Sequence, residues 1–193
     1  MNQSLSVREA IIGRRSIKKF NGQPVDREVL MSIIDDATWA PNHKNREPWR
    51  LVVACGEEMF DLHRLLRDTA IPRWKELSED ALEKQMQKFT SPGAYAFVIV
   101  PEDMRQKQRL EDFAAASILI QNIQLIAWDY GIGACWKTPD FLDDPEFRNA
   151  LGVKPGERII SLLQLGYFDD IPKAVERKKS EDIVTFFGQS ETI

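Results

Sequence analysis

Residues 110–130 read LEDFAAASILIQNIQLIAWDY. Between Phe113 and Trp128 apolar side chains occupy almost every side of the helical wheel, with Gln121, Asn122 and Gln124 embedded among them. The pattern predicts one long helix without a polar face of its own, and Gly131 follows where a helix C terminus often stands. Such a helix has to be buried on more than one side, either at the centre of a core or against a second subunit. Phe113 and Trp128 are accordingly expected to pack. Glu111 and Asp112 look like an acid/base pair, yet they stand where a helix start favours carboxylates and are expected to serve that end.

Outward from this helix lie short apolar runs that read as strands. Residues 49–55 (WRLVVAC) and 95–100 (YAFVIV) are buried strands by composition, 133–138 (GACWKT) is a strand leading into a loop, and 158–167 (RIISLLQLGY) is the last strong one. Upstream, 7–13 and 26–39 are predicted helices, the second capped by Asp26 and carrying Val29, Leu30, Ile33, Ile34 and Ala37 at three-and-four spacing. Residues 56–89 read as mostly helical covering with Ser78 as a cap, and 142–151 as a helix that starts near Asp143 or Asp144. Strands scattered among helices, without regular βαβ alternation, predict an α+β fold. No repeat or linker divides the chain, so residues 1–193 are expected to form a single domain.

Composition removes several function classes. The 193 residues carry a net charge of −4, which disfavours nucleic-acid binding. Only two cysteines, Cys55 and Cys135, and two histidines, His43 and His63, are present. Neither a disulfide framework nor a metal site is written in them, and a reducing cytoplasm fits. The first sixteen residues hold no apolar core of seven or more, and nowhere do eighteen apolar residues run unbroken, so neither export nor a membrane span is expected. There is no Gly-x-Gly-x-x-Gly, no phosphate loop and no Gly-x-Ser-x-Gly, which argues against a Rossmann dehydrogenase, a nucleotide hydrolase and an α/β-hydrolase.

Two stretches do carry chemistry. Arg14, Arg15, Ser16, Lys18 and Lys19 bring four cations and a hydroxyl to a helix end, a set suited to a phosphate monoester; the plain alternative is a solvated, dipole-complementing helix terminus. Residues 40–49 (APNHKNREPW) set polar side chains between two prolines ahead of a strand. The amides of Asn42 and Asn45 suit the pyrimidine edge of a flavin and His43 and Lys44 its anionic side, unless this is an ordinary surface loop. Trp39, Trp74 and Trp136 could stack on an aromatic ring, although burial in the core is the commoner fate of tryptophan.

Taken together, Arg14-Arg15-Ser16-x-Lys18-x-Phe20, then Ala40-Pro41-x-x-x-Asn45-x-x-Pro48-Trp49, resemble the opening of the FMN-dependent nitroreductase family. The likeness continues through the long helix closing on Tyr130-Gly131-Ile132-Gly133 to the strand ending at Gly166 and a basic tail, nearly the whole chain. It implies a nitroreductase-like fold, a mostly antiparallel central sheet flanked by helices, in an intertwined homodimer with one FMN in each of two interface clefts. Carried over by position, Arg14, Arg15, Ser16 and Lys18 match the phosphate and ribityl contacts. Pro41, Asn42, His43 and Asn45 match the segment that reaches the flavin from the partner subunit, and Trp136, Lys137 and Thr138 the stretch along the isoalloxazine edge. Among Arg177, Lys178 and Lys179, Arg177 is preferred as the second phosphate cation, and Trp39 is a candidate flavin neighbour. Glu47 stands where many members carry Gln before Pro-Trp.

The resemblance further implies a ping-pong oxidoreductase in which NAD(P)H delivers hydride to flavin N5 and a nitroaromatic, quinone or similar electron-poor molecule accepts it. No side chain is required as the base. Lys44, Lys137 and Arg14 are placed to support negative charge near flavin N1/O2. Two alternatives stand beside it: a flavin-dependent dehydrogenase or dehalogenase on the same fold, and a non-catalytic dimer that binds a phosphorylated metabolite.

Overall fold

The two most apolar runs of the sequence pair with each other at the centre of one sheet. The computed structural model describes residues 5–188. In chain order the elements are α1 (Val7–Gly13), α2 (Arg27–Ala37), β1 (Arg50–Cys55), α3 (Glu58–Ala70), α4 (Glu79–Thr90), β2 (Ala94–Pro101), α5 (Gln106–Asp129), β3 (Gly133–Lys137), α6 (Pro145–Ala150) and β4 (Glu157–Gly166), with short 3-10 turns between them. The strands form an antiparallel sheet of order β1-β2-β4-β3, in agreement with the α+β expectation.

Helices cover both faces of this sheet. Ala96, Val98, Leu163 and Leu165 pack under α2 and α5, while Tyr95, Phe97, Ile99 and Leu162 pack under α3, α4 and α6. Burial on both sides explains why β2 and β4 read as continuous apolar runs rather than alternating ones. A bulge interrupts their register, where Val98 faces Ser161 but Ile99 faces Ile159.

Several local signals hold as read. Asp26 caps α2 by accepting from the N–H groups of Glu28 and Val29, Ser78 caps α4 through Ala81 N–H, and Asp144 caps α6 through those of Glu146 and Phe147. Others shift. The long helix begins at Gln106, ahead of its apolar stretch, because the polar turn of residues 106–109 continues the same backbone without contributing to the core. The helix expected over 142–151 divides into a 3-10 turn (Asp140–Asp143) and α6, since Pro145 takes the first helical position.

Two features place the site. The segment after α1 runs along β3, where Ser16 makes a parallel bridge to Ala134 and Ile17 N–H donates to the Ala134 carbonyl at 3.1 Å. The basic run is therefore tied to the sheet edge. Helix α5 buries Ala115, Ala116, Leu119, Ile120, Ile123 and Ala127, yet its other side leaves Leu110, Phe113 and Ile118 exposed. Phe113, expected to pack, is 45% exposed, because within one chain the sheet covers a single face of this helix.

Candidate functional site

Arg14 is the residue on which α1 ends. Its side chain is half-buried, and its Nε and Nη1 are buried with no hydrogen-bond partner among the described residues. Burial, aided by Arg15 and Arg177, holds its pKa below the ordinary guanidinium value. A sheltered cation without a counter-ion is costly, and neighbouring guanidinium nitrogens form a fork whose geometry can receive the oxygens of an anion such as phosphate. Arg15 divides its donors: Nη1 reaches the carbonyls of Ile12, Gly13 and Arg14 at 2.7, 3.1 and 2.8 Å and closes the helix end, while Nε is buried without a partner. Ser16 and Lys18 are exposed on the same segment. Arg177, from the tail, is the basic tail residue that acts on Arg14.

At the end of β3 consecutive side chains part to opposite faces. Trp136 lies opposite Leu163 and packs with the α2/α5 side, its Nε1 buried and without a partner among the described residues. Lys137 lies opposite Leu162 and opens into a cleft of about 730 Å3 between β3, β4 and the ends of α3 and α4. Burial lowers the Lys137 pKa; Cys135 pulls it upward, and Lys18 and Lys88 each lower it by less. Thr138 follows, exposed. Among the described residues none of Arg14, Arg15, Lys18, Lys88, Lys137 and Arg177 takes part in an ion pair. Phosphate-type donors and a roomy cleft are thus joined by one unpaired cationic band.

The second sequence-predicted segment is a separate, stiff loop. Lys44, Asn45 and Glu47 all hold left-handed φ, at 57°, 50° and 45°, a conformation that costs a non-glycine residue about 1 kcal/mol or more. Asn42 clamps it: Oδ1 accepts from Glu47 N–H at 2.8 Å and Nδ2 donates to the Ala40 carbonyl at 3.2 Å. Arg46 Nη2 adds an ion pair to Asp112 Oδ2 at 3.2 Å. Pro41, His43, Lys44 and Asn45 are exposed, and Trp39 is 88% exposed, against the usual fate of tryptophan, because it stands just beyond the C-cap of α2 with no element over it.

Within one chain these two halves do not meet. The loop is tied to α5 at Asp112, whereas α1 packs at the other end of α5, where Leu5 N–H donates to Asp129 Oδ1 and Gly13 faces Trp128. Seventeen residues at 1.5 Å each separate Asp112 from Asp129, about 26 Å, too far for one flavin nucleotide to bridge.

A family model described as the nitroreductase family matches residues 11–167. The chain belongs to that family. YfhC of Bacillus subtilis (strain 168), named an NAD(P)H nitroreductase, is 36% identical over 190 residues, 96% of either chain. A nitroreductase-like family protein from Bacillus cereus is similar in structure, with a TM-score of 0.83, 33% identity and coverage of 98% of this chain and 100% of that one. NfnB from Sphigopyxis sp. strain HMH, described as an FMN- and NADPH-dependent nitroreductase, shares the fold with a TM-score of 0.74 at 20% identity, over 96% of this chain and 100% of that chain.

Within this nitroreductase fold three participants escaped the sequence reading. Lys88 enters the cleft from the last turn of α4, but in the sequence it is one charge in an ordinary helical face. Gln164 is 2% exposed in the cleft wall, where Nε2 donates to the Lys88 carbonyl and the Tyr95 hydroxyl. A lone amide in an apolar strand was the signal available for it. Asp112 is the third: far from capping a helix start, it lies in the second turn of α5, 2% exposed and bound to both Arg46 and Gln108. No helix is long and apolar enough to cross a membrane, and no group of three or more His, Cys, Asp or Glu residues is arranged to hold a metal ion, both among the described residues.

Proposed function

We propose that this chain is an FMN-dependent NAD(P)H oxidoreductase that acts as a homodimer, each cleft combining the cationic band of one subunit with the 41–45 loop of the other. The observation that carries the proposal is the sheltered Arg14 guanidinium beside Arg15 and Arg177, its Nε and Nη1 buried and without a partner among the described residues. The residues fit the group: Arg14, Arg15, Ser16 and Arg177 would hold the phosphate, Lys18 the ribityl chain, and the stretch Trp136, Lys137 and Thr138 would pass along the ring edge, with Lys137 the side chain turned into the cleft and Trp136 packed behind it. Partner-loop residues Pro41, Asn42, His43 and Asn45 would complete the cleft, with Trp39 at its rim. The name of the structurally similar NfnB supports the same cofactor. When bound, FMN supplies two-electron chemistry between NAD(P)H and an electron-poor acceptor such as a nitroaromatic or quinone.

The chain's own contribution is binding and electrostatics. Lys137, and Lys44 from the partner, would place positive charge where reduction builds negative charge, which stabilises the reduced state without a proton-transfer group. The separation of the two half-sites along α5 favours assembly from two chains. So do the apolar side chains left outside the core, Val7, Ile11 and Ile12 on α1 and Leu110, Phe113 and Ile118 on α5. Each is already partly covered, so burying the rest of it would contribute roughly half of the 1.5–3 kcal/mol of a fully exposed side chain.

The test is the absorbance spectrum of purified protein, the mass of the released cofactor and the mass of the assembly. Flavin bands, FMN and a dimer that oxidises NAD(P)H with a nitroaromatic acceptor are expected. A colourless protein that takes up no added FMN sinks the proposal. Lys137 adds a pH dependence. Burial and nearby lysines lower its pKa in the free protein, and a bound anion raises it again. FMN affinity is therefore greatest below the free-protein pKa and falls as pH climbs past it. Titrations from neutral pH to about pH 10 should show that decline, and Lys137→Met should flatten it.

A further inference from the structure

The 42–47 loop is held far more firmly than its exposure requires. It contains three of the four non-glycine residues with left-handed φ among the described residues, Lys44, Asn45 and Glu47. Two ties oppose that strain. One is internal, through Asn42. The other crosses to α5, where Asp112, almost wholly buried, receives Arg46 Nη2 at 3.2 Å and Gln108 Nε2 at 2.9 Å. Meanwhile the side chains of His43, Lys44 and Asn45 have no hydrogen-bond or ion partner among the described residues. Backbone fixed and side chains free is the form of a surface preorganised for a ligand outside its own chain.

We infer that Asp112 is a positioning residue that sets flavin affinity in the partner's cleft, acting through Arg46 on the conformation of the 42–47 loop. This rests on the two-chain cleft proposed above. Its carboxylate touches no flavin. A buried carboxylate on the rigid α5 gives Arg46 a fixed anchor, and Arg46, the one helical residue between left-handed neighbours, transfers that anchor to the loop. Gln108 holds the carboxylate so that it points one way only. With Asp112→Asn the loop keeps Asn42, but its tie to the helix loses the ion pair and one of the two oxygens that receive Arg46 and Gln108, so the loop pays more ordering entropy at each binding event.

Subunit complementation tests this. Asp112→Asn homodimers are expected to bind FMN roughly tenfold more weakly than wild type, and Arg14→Ala homodimers to bind it too weakly to retain. A mixed dimer of one Asp112→Asn chain and one Arg14→Ala chain has both defects in one cleft and none in the other. It should hold one FMN per dimer with wild-type affinity. Hydrogen exchange of the apo Asp112→Asn dimer should show faster amides at 43–47, with the sheet still protected. Should Asp112→Asn fail to fold, Arg46→Gln, which leaves the Gln108 bond intact, is put through the same series with the same expectations. A mixed dimer without a tight site, Asp112→Asn homodimers with wild-type affinity, or unchanged loop exchange would each overturn the inference. Wild-type protein that binds no FMN overturns the parent proposal instead, and that control is read first.

Discussion

Arg14→Ala is expected to purify without flavin, with its FMN dissociation constant raised at least about 100-fold, since two charge-assisted hydrogen bonds at about 1.5–3 kcal/mol each are lost. The apo variant should nevertheless unfold no earlier than wild-type apoprotein. Arg14 is a half-buried cation beside two others, with two buried nitrogens unpaired among the described residues. Removing such a group relieves desolvation and like-charge repulsion, whereas removing a structural arginine breaks bonds that hold the fold. FMN titration and thermal unfolding of apoprotein separate the cases. Full yellow colour in the variant would defeat the phosphate assignment. A large fall in apoprotein stability with FMN affinity preserved would make Arg14 a structural residue.

Gly133→Ala is expected to destabilise the chain by about 1–3 kcal/mol and to weaken FMN binding as well. A Cβ at Gly133 would stand 2.4 Å from Ile17 Cγ1, 2.7 Å from Ile17 Cβ and 2.8 Å from Phe168 Cδ1. Neither neighbour can yield alone. Ile17 is fully buried and bonded to Ala134, and the Phe168 ring stacks on Trp128 with centroids 5.4 Å apart. The clash resolves only if the 14–18 segment leaves the sheet edge, carrying Arg14, Arg15, Ser16 and Lys18 with it. Gly131→Ala is the control. That residue has φ +73° and open space around it, so alanine there costs about 1 kcal/mol of backbone strain without moving the cations. Unfolding midpoints and FMN titration distinguish the two, and a Gly133→Ala protein with wild-type affinity would show that the site does not depend on this close approach.

What was legible in the sequence was local or periodic. Asp26 and Ser78 could be read as caps because a side chain and the N–H it accepts from lie within three residues. The strands announced themselves because burial on both faces leaves no polar alternation. Pro145 was the limit of that logic, since it divides a run whose periodicity continues through it. Lys88 and Asp112 were not legible. Each lies in a charged stretch that looks like any solvated helix face, and only its neighbours across the fold, Lys137 for one and Arg46 for the other, set it apart. Trp39 misled in the opposite way, because aromatic area says how much can be buried and not whether an element exists to bury it.

By itself the amino-acid order determined the α+β class, the apolar composition of the long helix on more than one side, the presence of a cation-rich turn and a proline-bounded loop, and through their joint spacing the family. Those properties follow from periodicity, backbone restriction and side-chain type, all of which act between near neighbours. Tertiary structure decided which charges share a place. It set Arg177 by Arg14 and Lys88 by Lys137, turned Trp136 and Lys137 to opposite faces of one strand, and tied the loop to the end of α5 opposite to the one that α1 packs on. Coulomb energy and desolvation depend on distance through space, which chain separation does not specify until the sheet and α5 have fixed it.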